Sequence, residues 1–358
     1  QAGEDPSRTI LIGSHLDSVP HGGEYDGTVG VALGLAVQAA FAHAGLVPKV
    51  NIGTICLRAE ESCWFPHSYI GSKTFLGVLE KGAVDGVKRS DTGRSLGEHI
   101  REAGFDADGT RAGRTWDQLP GVLAYVEPHI EQAPSLLATG RSLGVVTGIR
   151  GSFRYRTISV TGEYADSGAM PRHLRNDAAM AGASLMMDMQ AAWEELEEQG
   201  HDLTITFGEV ATDPSHHSFS KVPGKLHLCL DVRSQSTATL ELVEAKLQAL
   251  ARAAEARFGV RIDLGPRSGS TPAIMDAALV AGLGASLAKC GHPRHEMASG
   301  AGHDAATFAL YGIPSVMLFI RNENGSHNPR EAMDMADFNS ALAVMCDFVQ
   351  TLTGSERQ

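Results

Sequence analysis

An α/β fold with a mainly parallel sheet, interrupted by an inserted ferredoxin-like α+β domain, is what this 358-residue chain predicts. Three observations carry the expectation. Strand and helix patterns alternate through the first part of the chain, and apolar runs there end in glycine-rich turns. The middle switches to the order β-α-β-β-α-β, and the α/β pattern then returns. Alternating strands and helices favour a parallel sheet covered on both faces, whereas β-α-β-β-α-β is the order of a ferredoxin-like unit. A chain of this length can bury two cores.

In chain order, residues 10–12 form a short aliphatic strand, and residues 29–43 form a helix with an Ala/Leu/Val face. Residues 50–57 and 123–126 read as buried strands, and residues 106–113 as a polar loop. In residues 153–161, Phe153, Tyr155, Thr157, Ser159 and Thr161 alternate with Arg154, Arg156, Ile158 and Val160, a period-2 strand. A helix over 176–198, strands over 203–210 and 225–232, a helix over 240–258 and a strand over 260–264 complete the inserted domain, expected at 151–264. The flanking segments, 1–150 and 265–358, form the discontinuous α/β domain, with a helix over 277–289, a strand over 315–319 and a helix over 336–352.

Composition narrows the function. Lys and Arg number 30 against 42 Asp and Glu, a net charge of −12, which argues against nucleic acid or an anionic membrane as partner. No apolar run approaches the length of a membrane span. The five cysteines are scattered and odd in number, against a disulfide framework. Cys56 in an apolar run and Cys229 in an alternating strand read as buried free thiols, which points to a reducing, cytoplasmic compartment. No signal-peptide pattern opens the chain. A strand stands so near its start that upstream sequence is expected to be missing.

Hard, ionisable side chains recur where apolar stretches meet turns. They are His15 and Asp17 in Gly13-Ser14-His15-Leu16-Asp17-Ser18, Asp26 before Gly27, the doublet Glu60-Glu61, His129 before Ile130-Glu131-Gln132, and His327 in Gly325-Ser326-His327-Asn328-Pro329. Singly each has an ordinary explanation: a hydrogen-bonded core histidine, a turn aspartate, a solvated helix start. Together they form a pattern. His15, Glu60, Glu61 and His129 are expected just after strands, where open α/β sheets bind ligands. His-X-Asp pairs an imidazole with a carboxylate able to orient it. Asp26 among glycines can approach two ions, and adjacent Glu60 and Glu61 can address a metal and a water. Imidazole and carboxylate without cysteine suit Zn²⁺, Mn²⁺, Ni²⁺ or Co²⁺, and five ligands with a spare carboxylate suit a two-metal hydrolase.

The chain resembles the peptidase M20 superfamily, in the amidase, hydantoinase and carbamoylase branch that includes N-carbamoyl-L-amino-acid hydrolases and allantoate amidohydrolase. The shared motifs run almost end to end. They include residues 13–20, Gly22-Gly23-Glu24-Tyr25-Asp26-Gly27, Glu60-Glu61-Ser62-Cys63-Trp64-Phe65, His129-Ile130-Glu131-Gln132, residues 144–149, Asp231-Val232-Arg233-Ser234, residues 299–304 and Ser326-His327-Asn328-Pro329. The resemblance implies two divalent metal ions, His15 and His129 holding one, Glu61 and His327 the other, with Asp26 bridging. It implies Glu60 as general base and Asp17 as the group orienting His15. The inserted domain would be a lid and dimerisation domain, making the protein a homodimer acting on a small molecule.

For substrate binding, the resemblance implies Arg233 as the grip on a carboxylate and Gln132 as an amide contact. The turn containing Gly300 offers backbone N–H groups to an anion. His303 and Asp304 are expected to support that turn. Two positions depart from the branch pattern. Asp166, in Asp166-Ser167-Gly168-Ala169-Met170-Pro171, stands where the branch has a histidine thought to stabilise the oxyanion, and Ser220 replaces an asparagine before Lys221-Val222-Pro223-Gly224. His173, His216, His217 and Lys221 are nearby candidate substitutes, or Asp166 receives a cationic substrate. The function implied is hydrolysis of a linear C–N bond (carbamoyl, ureido or amide) in a small carboxylate-bearing substrate. An aminoacylase, dipeptidase or hydrolytic deaminase with the same metals, and a metal-containing binding protein with weakened catalysis, stay open.

Overall fold

A computed structural model describes residues 1–354 and the backbone of 356–357. The chain divides into two compact units, Gln1–Ile149 with Ala273–Gln358, and Arg150–Pro272.

The first unit is built on a seven-stranded, mainly parallel sheet. Its order is Ala273–Ile274, Leu143–Ile149, Ser315–Ile320, Val122–Ile130, Asp5–His15, Val50–Leu57, and Glu296–Ser299 also pairs with Leu143–Ile149. The strand Asp5–His15 lies parallel to both Val50–Leu57 and Val122–Ile130, and Ser315–Ile320 is parallel to Val122–Ile130. The carboxyl ends of all four therefore point the same way. Residues such as Ile10, Ile12, Val126, Met317 and Leu318 are buried, because a sheet covered on both faces needs apolar side chains on both. The helix Thr28–His43 packs on this sheet through Val29, Leu33, Val37 and Phe41. Full burial of a side chain such as Leu33 contributes about 1.5–3 kcal/mol.

The second unit carries β-strands and helices in the order Gly151–Thr161, Ala178–Glu198, Thr204–Thr212, Lys225–Ser234, Thr237–Phe258, Arg261–Asp263. In space the strands run Arg261–Asp263, Gly151–Thr161, Lys225–Ser234, Thr204–Thr212, all antiparallel. The core lies between sheet and helices, with Phe153, Ile158, Leu185, Met189, Leu228, Val232, Val243 and Leu247 buried. Asp177 and Ser236 cap the helix N-termini, each side chain accepting backbone N–H groups.

Several expectations need correction. Residues 265–272 stay with the second unit, because Arg267–Ser270 pairs antiparallel with Gly151–Thr161. The supposed loop at 106–113 contains the helix Ala107–Arg111, started by Asp106 accepting from the Gly109 N–H at 2.8 Å. Cys56 is exposed on Val50–Leu57, the edge strand of its sheet, and Cys229 is only partly buried; all five cysteines are free thiols. His15 ends its strand and His129 lies inside Val122–Ile130, not after it. The strands Leu143–Ile149 and Glu296–Ser299 and the helix Asp304–Leu310 were not anticipated. Among the described residues, no helix is long and apolar enough to cross a membrane.

Candidate metal centre

Parallel strands deliver the histidines. His15 and His129 sit at the carboxyl ends of strands joined through the register of Asp5–His15 with Val122–Ile130, and their rings lie 5.7 Å apart. Backbone carbonyls fix both tautomers. The His15 Nδ1 is 2.8 Å from the Asp17 carbonyl oxygen, and the His129 Nδ1 is 2.8 Å from that of Ile130. A carbonyl only accepts, so each Nδ1 donates its proton and each Nε2 keeps a lone pair. The Gly27 N–H donates to the His129 Nε2 at 3.2 Å.

Both lone pairs face Asp26, which is 3% exposed. Its Oδ1 lies 3.0 Å from the His129 Nε2 and 3.9 Å from the His15 Nε2. Its Oδ2 lies 2.9 Å from the His327 Nε2, which is in turn 3.1 Å from a Glu61 oxygen. One carboxylate thus serves two ligand groups, His15–Asp26–His129 and Asp26–Glu61–His327. Gly27 makes the approach possible. Its φ is +70°, and a Cβ there would lie 2.5–2.6 Å from the His15 ring atoms.

The donor set fits divalent cations. Asp26 Oδ1 is buried without a hydrogen-bond donor among the described residues, opposite imidazole lone pairs that repel it. Only positive charge resolves that arrangement. With protons as the sole available cations, the histidines bind them tightly. Burial works against a charged His129, but Asp26 outweighs it and holds the imidazole up at about 9. Asp26 and Glu61 raise His327 to about 10. Burial alone would raise Asp26, yet His129 and His327 hold it well below the usual carboxylate range.

Glu60 and Glu61 follow the strand Val50–Leu57 through Ala59, whose φ of +54° turns the chain. The Asp17 carboxylate accepts the Glu60 N–H at 3.2 Å and the Glu61 N–H at 3.1 Å. Asp17 therefore supports His15 through its backbone carbonyl, while its carboxylate, 3.7 Å from the ring nitrogen, fixes the acidic doublet. Glu60 is 7% exposed. Burial, then the charges of Asp304, Glu61, Glu127 and Asp17, push its carboxyl well above the ordinary range.

A further group, Glu127–His129–His303, also clusters. Its members are engaged elsewhere: Glu127 accepts from the Ser14 hydroxyl and the Ala305 N–H, each at 2.7 Å, and the His303 Nε2 lies 2.9 Å from the Ser299 hydroxyl. Burial holds His303 well below its normal pKa. The group backs the centre with hydrogen bonds. Sequence reading assigned no role to Glu127, although it lies two residues before His129.

Gln132, with φ +66°, donates through Nε2 to Asp26 Oδ2 at 3.1 Å, so it touches the centre itself. Gly300 is exposed in the loop after Glu296–Ser299. The remaining expected site residues belong to the second unit. Arg233 holds Asp231 through Nε at 2.9 Å and Nη2 at 2.8 Å, and Arg154 donates to the other Asp231 oxygen at 3.0 Å. Asp166 is exposed, and its Oδ1 accepts the Gly168 and Ala169 N–H groups at 2.9 and 2.7 Å, which lowers its pKa. The Ser220 carbonyl accepts from the Ser167 N–H at 3.2 Å.

Known proteins resemble the chain along nearly its whole length. The model of peptidase family M20/M25/M40 matches residues 11–351. An allantoate amidohydrolase from Escherichia coli (strain K12) is 32% identical over 344 residues, 96% of this chain and 80% of the relative. An N-carbamoyl-L-amino acid amidohydrolase from Geobacillus stearothermophilus is 31% identical over 358 residues, 99% of this chain and 84% of the relative. A hydantoinase/carbamoylase family amidase from Burkholderia ambifaria superposes with a TM-score of 0.86 at 27% identity, covering 100% of this chain and 84% of that one. With a matched family model spanning nearly its whole length, the chain belongs to peptidase family M20/M25/M40, among relatives of the hydantoinase/carbamoylase branch.

Proposed function

We propose that the protein is a dinuclear metal-dependent amidohydrolase that cleaves a linear carbamoyl, ureido or amide C–N bond in a small carboxylate-bearing substrate. The observation that carries this is Asp26, whose two oxygens address two separate imidazole-containing groups, with Oδ1 buried and without a hydrogen-bond donor among the described residues. The relatives named for allantoate and N-carbamoyl-L-amino acids support the bond type. His15, His129 and Asp26 would hold one ion, and Asp26, Glu61 and His327 the other; Zn²⁺, Mn²⁺, Ni²⁺ and Co²⁺ all suit these donors. Bound divalent ions supply Lewis acidity that polarises the scissile carbonyl and acidifies a water.

The chain's own residues do the rest. Glu60 takes the proton of the attacking water and returns it to the leaving nitrogen. It can do so only when ionised, and the positive charge of a loaded centre opposes the burial and carboxylate repulsion that push its pKa up. Asp17 keeps Glu60 and Glu61 in register by holding both backbone N–H groups. Gln132, Gly300, Ser220 and Arg233 form the proposed substrate contacts, with Arg233 gripping the carboxylate and Asp231 setting its orientation. The second unit, with its β-α-β-β-α-β order, is proposed as the ferredoxin-like lid and dimerisation domain of a cytoplasmic homodimer.

The test is a turnover screen of the metal-loaded protein on N-carbamoyl, ureido and N-acyl amino acids and on dipeptides, with ammonia and amino-acid release read separately. Ammonia release accompanying hydrolysis of carbamoyl or ureido substrates supports the proposal. Turnover confined to N-acyl amino acids or dipeptides assigns the aminoacylase or dipeptidase alternative. A second reading, a metal-containing binding protein, draws on the exposed, ionised Asp166 carboxylate, which can accept but not donate a hydrogen bond. That reading requires no wild-type turnover on the whole panel and a gain in Asp166→His.

A further inference from the structure

Glu331 lies four residues beyond His327, outside the ligand set, yet it is 6% exposed while its neighbours Pro329 and Arg330 are exposed. A buried carboxylate needs donors for its lone pairs. Its partners come from the segment that carries Asp26. One oxygen, Oε1, accepts the Tyr25 N–H at 2.9 Å and the Asp26 N–H at 3.1 Å, across 306 and 305 residues of sequence. The other, Oε2, accepts the hydroxyl of Ser326, which immediately precedes His327 and also lies 3.1 Å from Asp26 Oδ2.

Glu331 therefore grips the backbone of the bridging ligand on one side and the neighbour of a second ligand on the other. The loop is shaped for it. A Cβ on Gly23 would lie 2.3–2.4 Å from Glu331 Oε1, Cβ and Cδ, so only glycine lets that segment close over the carboxylate. The Glu331 N–H donates to the Asn328 carbonyl at 3.1 Å, and Glu323 pairs with Ala332 as an isolated bridge, fixing the loop from its own side.

We propose that Glu331 is a positioning residue, a clamp that joins the Asp26 segment to the His327 loop and sets the distance across which both ions are held. The inference rests on the metal-centre reading above. Without the clamp, the Asp26 segment loses two backbone hydrogen bonds to the His327 loop, and ligand atoms that drift lose affinity, because groups supporting metal ligands typically matter about 10–100-fold.

The experiment measures Zn²⁺ affinity by chelator competition on the full chain, together with the melting temperature of the metal-free protein. Glu331→Gln keeps the size but removes the charge that strengthens both N–H bonds, and it replaces the acceptor of the Ser326 hydroxyl by an N–H donor. It should bind Zn²⁺ about 10–100-fold more weakly while the metal-free melting temperature stays near that of wild type. Ser326→Ala, which removes only the hydroxyl contact, should show a smaller loss in the same direction. In an Asp26→Asn background, Glu331→Gln should add little, since the clamp then has no bridging carboxylate to place. Unchanged Zn²⁺ affinity in Glu331→Gln would overturn the proposal. So would an additive loss in the Asp26→Asn background, or a variant that fails to fold, because each makes Glu331 a general stabilising residue. If wild type itself binds no divalent metal, the metal-centre reading fails instead, and the two failures are told apart.

Discussion

Replacing Gly27 by alanine is the sharpest probe of how the backbone shapes this centre. At φ +70° and ψ −48° a non-glycine residue is held in a sparsely populated backbone region, at a cost of about 1–3 kcal/mol. The new methyl carbon would also lie 2.5–2.6 Å from Cε1, Nδ1 and Nε2 of His15. His15 is 2% exposed and pinned at Nδ1, so the ring cannot swing away freely. Overpacking of this kind costs about 1–3 kcal/mol more, for a total of roughly 2–6 kcal/mol. Gly45 provides the control. Its φ is +65°, and a Cβ there meets nothing within 4 Å. Gly45→Ala should therefore lose only the conformational share, about 1–2 kcal/mol. Both variants are melted metal-free, then assayed for metal content by mass spectrometry. We expect Gly27→Ala to melt clearly below Gly45→Ala, each kcal/mol lowering Tm by roughly 2–4 °C in a unit of this size. We also expect Gly27→Ala alone to lose metal. Equal melting temperatures and equal metal content would refute the claim that Gly27 is there to make room for the His15 ring.

Glu60→Gln should retain its metal while turnover drops about 10²–10⁴-fold, the usual contribution of a positioned acid–base group; undiminished turnover would remove Glu60 from the chemistry. Asp17→Ala deletes the carboxylate that accepts the Glu60 and Glu61 N–H groups but spares the carbonyl that holds His15. It should destabilise by about 1–3 kcal/mol and weaken metal binding, an effect absent if Asp17 were merely a surface charge. Chelation should abolish turnover reversibly and lower the melting temperature. Ligand at 100 times its Kd stabilises by about 2.7 kcal/mol, so a melting curve indifferent to chelator would contradict a resident metal. Leu33→Ala, deep under the sheet, should cost about 2–5 kcal/mol in urea unfolding, and a loss under 1 kcal/mol would mean that this helix face is not part of the core.

Periodicity and ligand chemistry were readable along the chain because they are local properties. The run Val50–Leu57 and the helix Ala277–Lys289 declare themselves through apolar spacing within a few residues. His15, Asp26, Glu61, His129 and His327 could be singled out because imidazole and carboxylate beside glycine turns are chemically distinctive. Leu143–Ile149 escaped notice because two glycines and a threonine dilute its pattern, and only pairing on both sides makes it a strand. Arg267–Ser270 is fully exposed and polar, so nothing in its own residues announces that it pairs with Gly151–Thr161.

Contacts between distant segments follow a different logic. Whether a carboxylate orients a ring, caps a turn or clamps a loop depends on donors that may lie hundreds of positions away, as Tyr25 and Glu331 do. Asp17 has the expected partner two residues upstream, yet its side chain went to the Glu60–Glu61 backbone and left the imidazole to its carbonyl. Side-chain identity along the chain specified which groups could bind metal and which stretches could bury themselves. The assignment of each lone pair to its donor required the strands to be laid side by side, because hydrogen bonds are satisfied in space and carry no record of sequence separation.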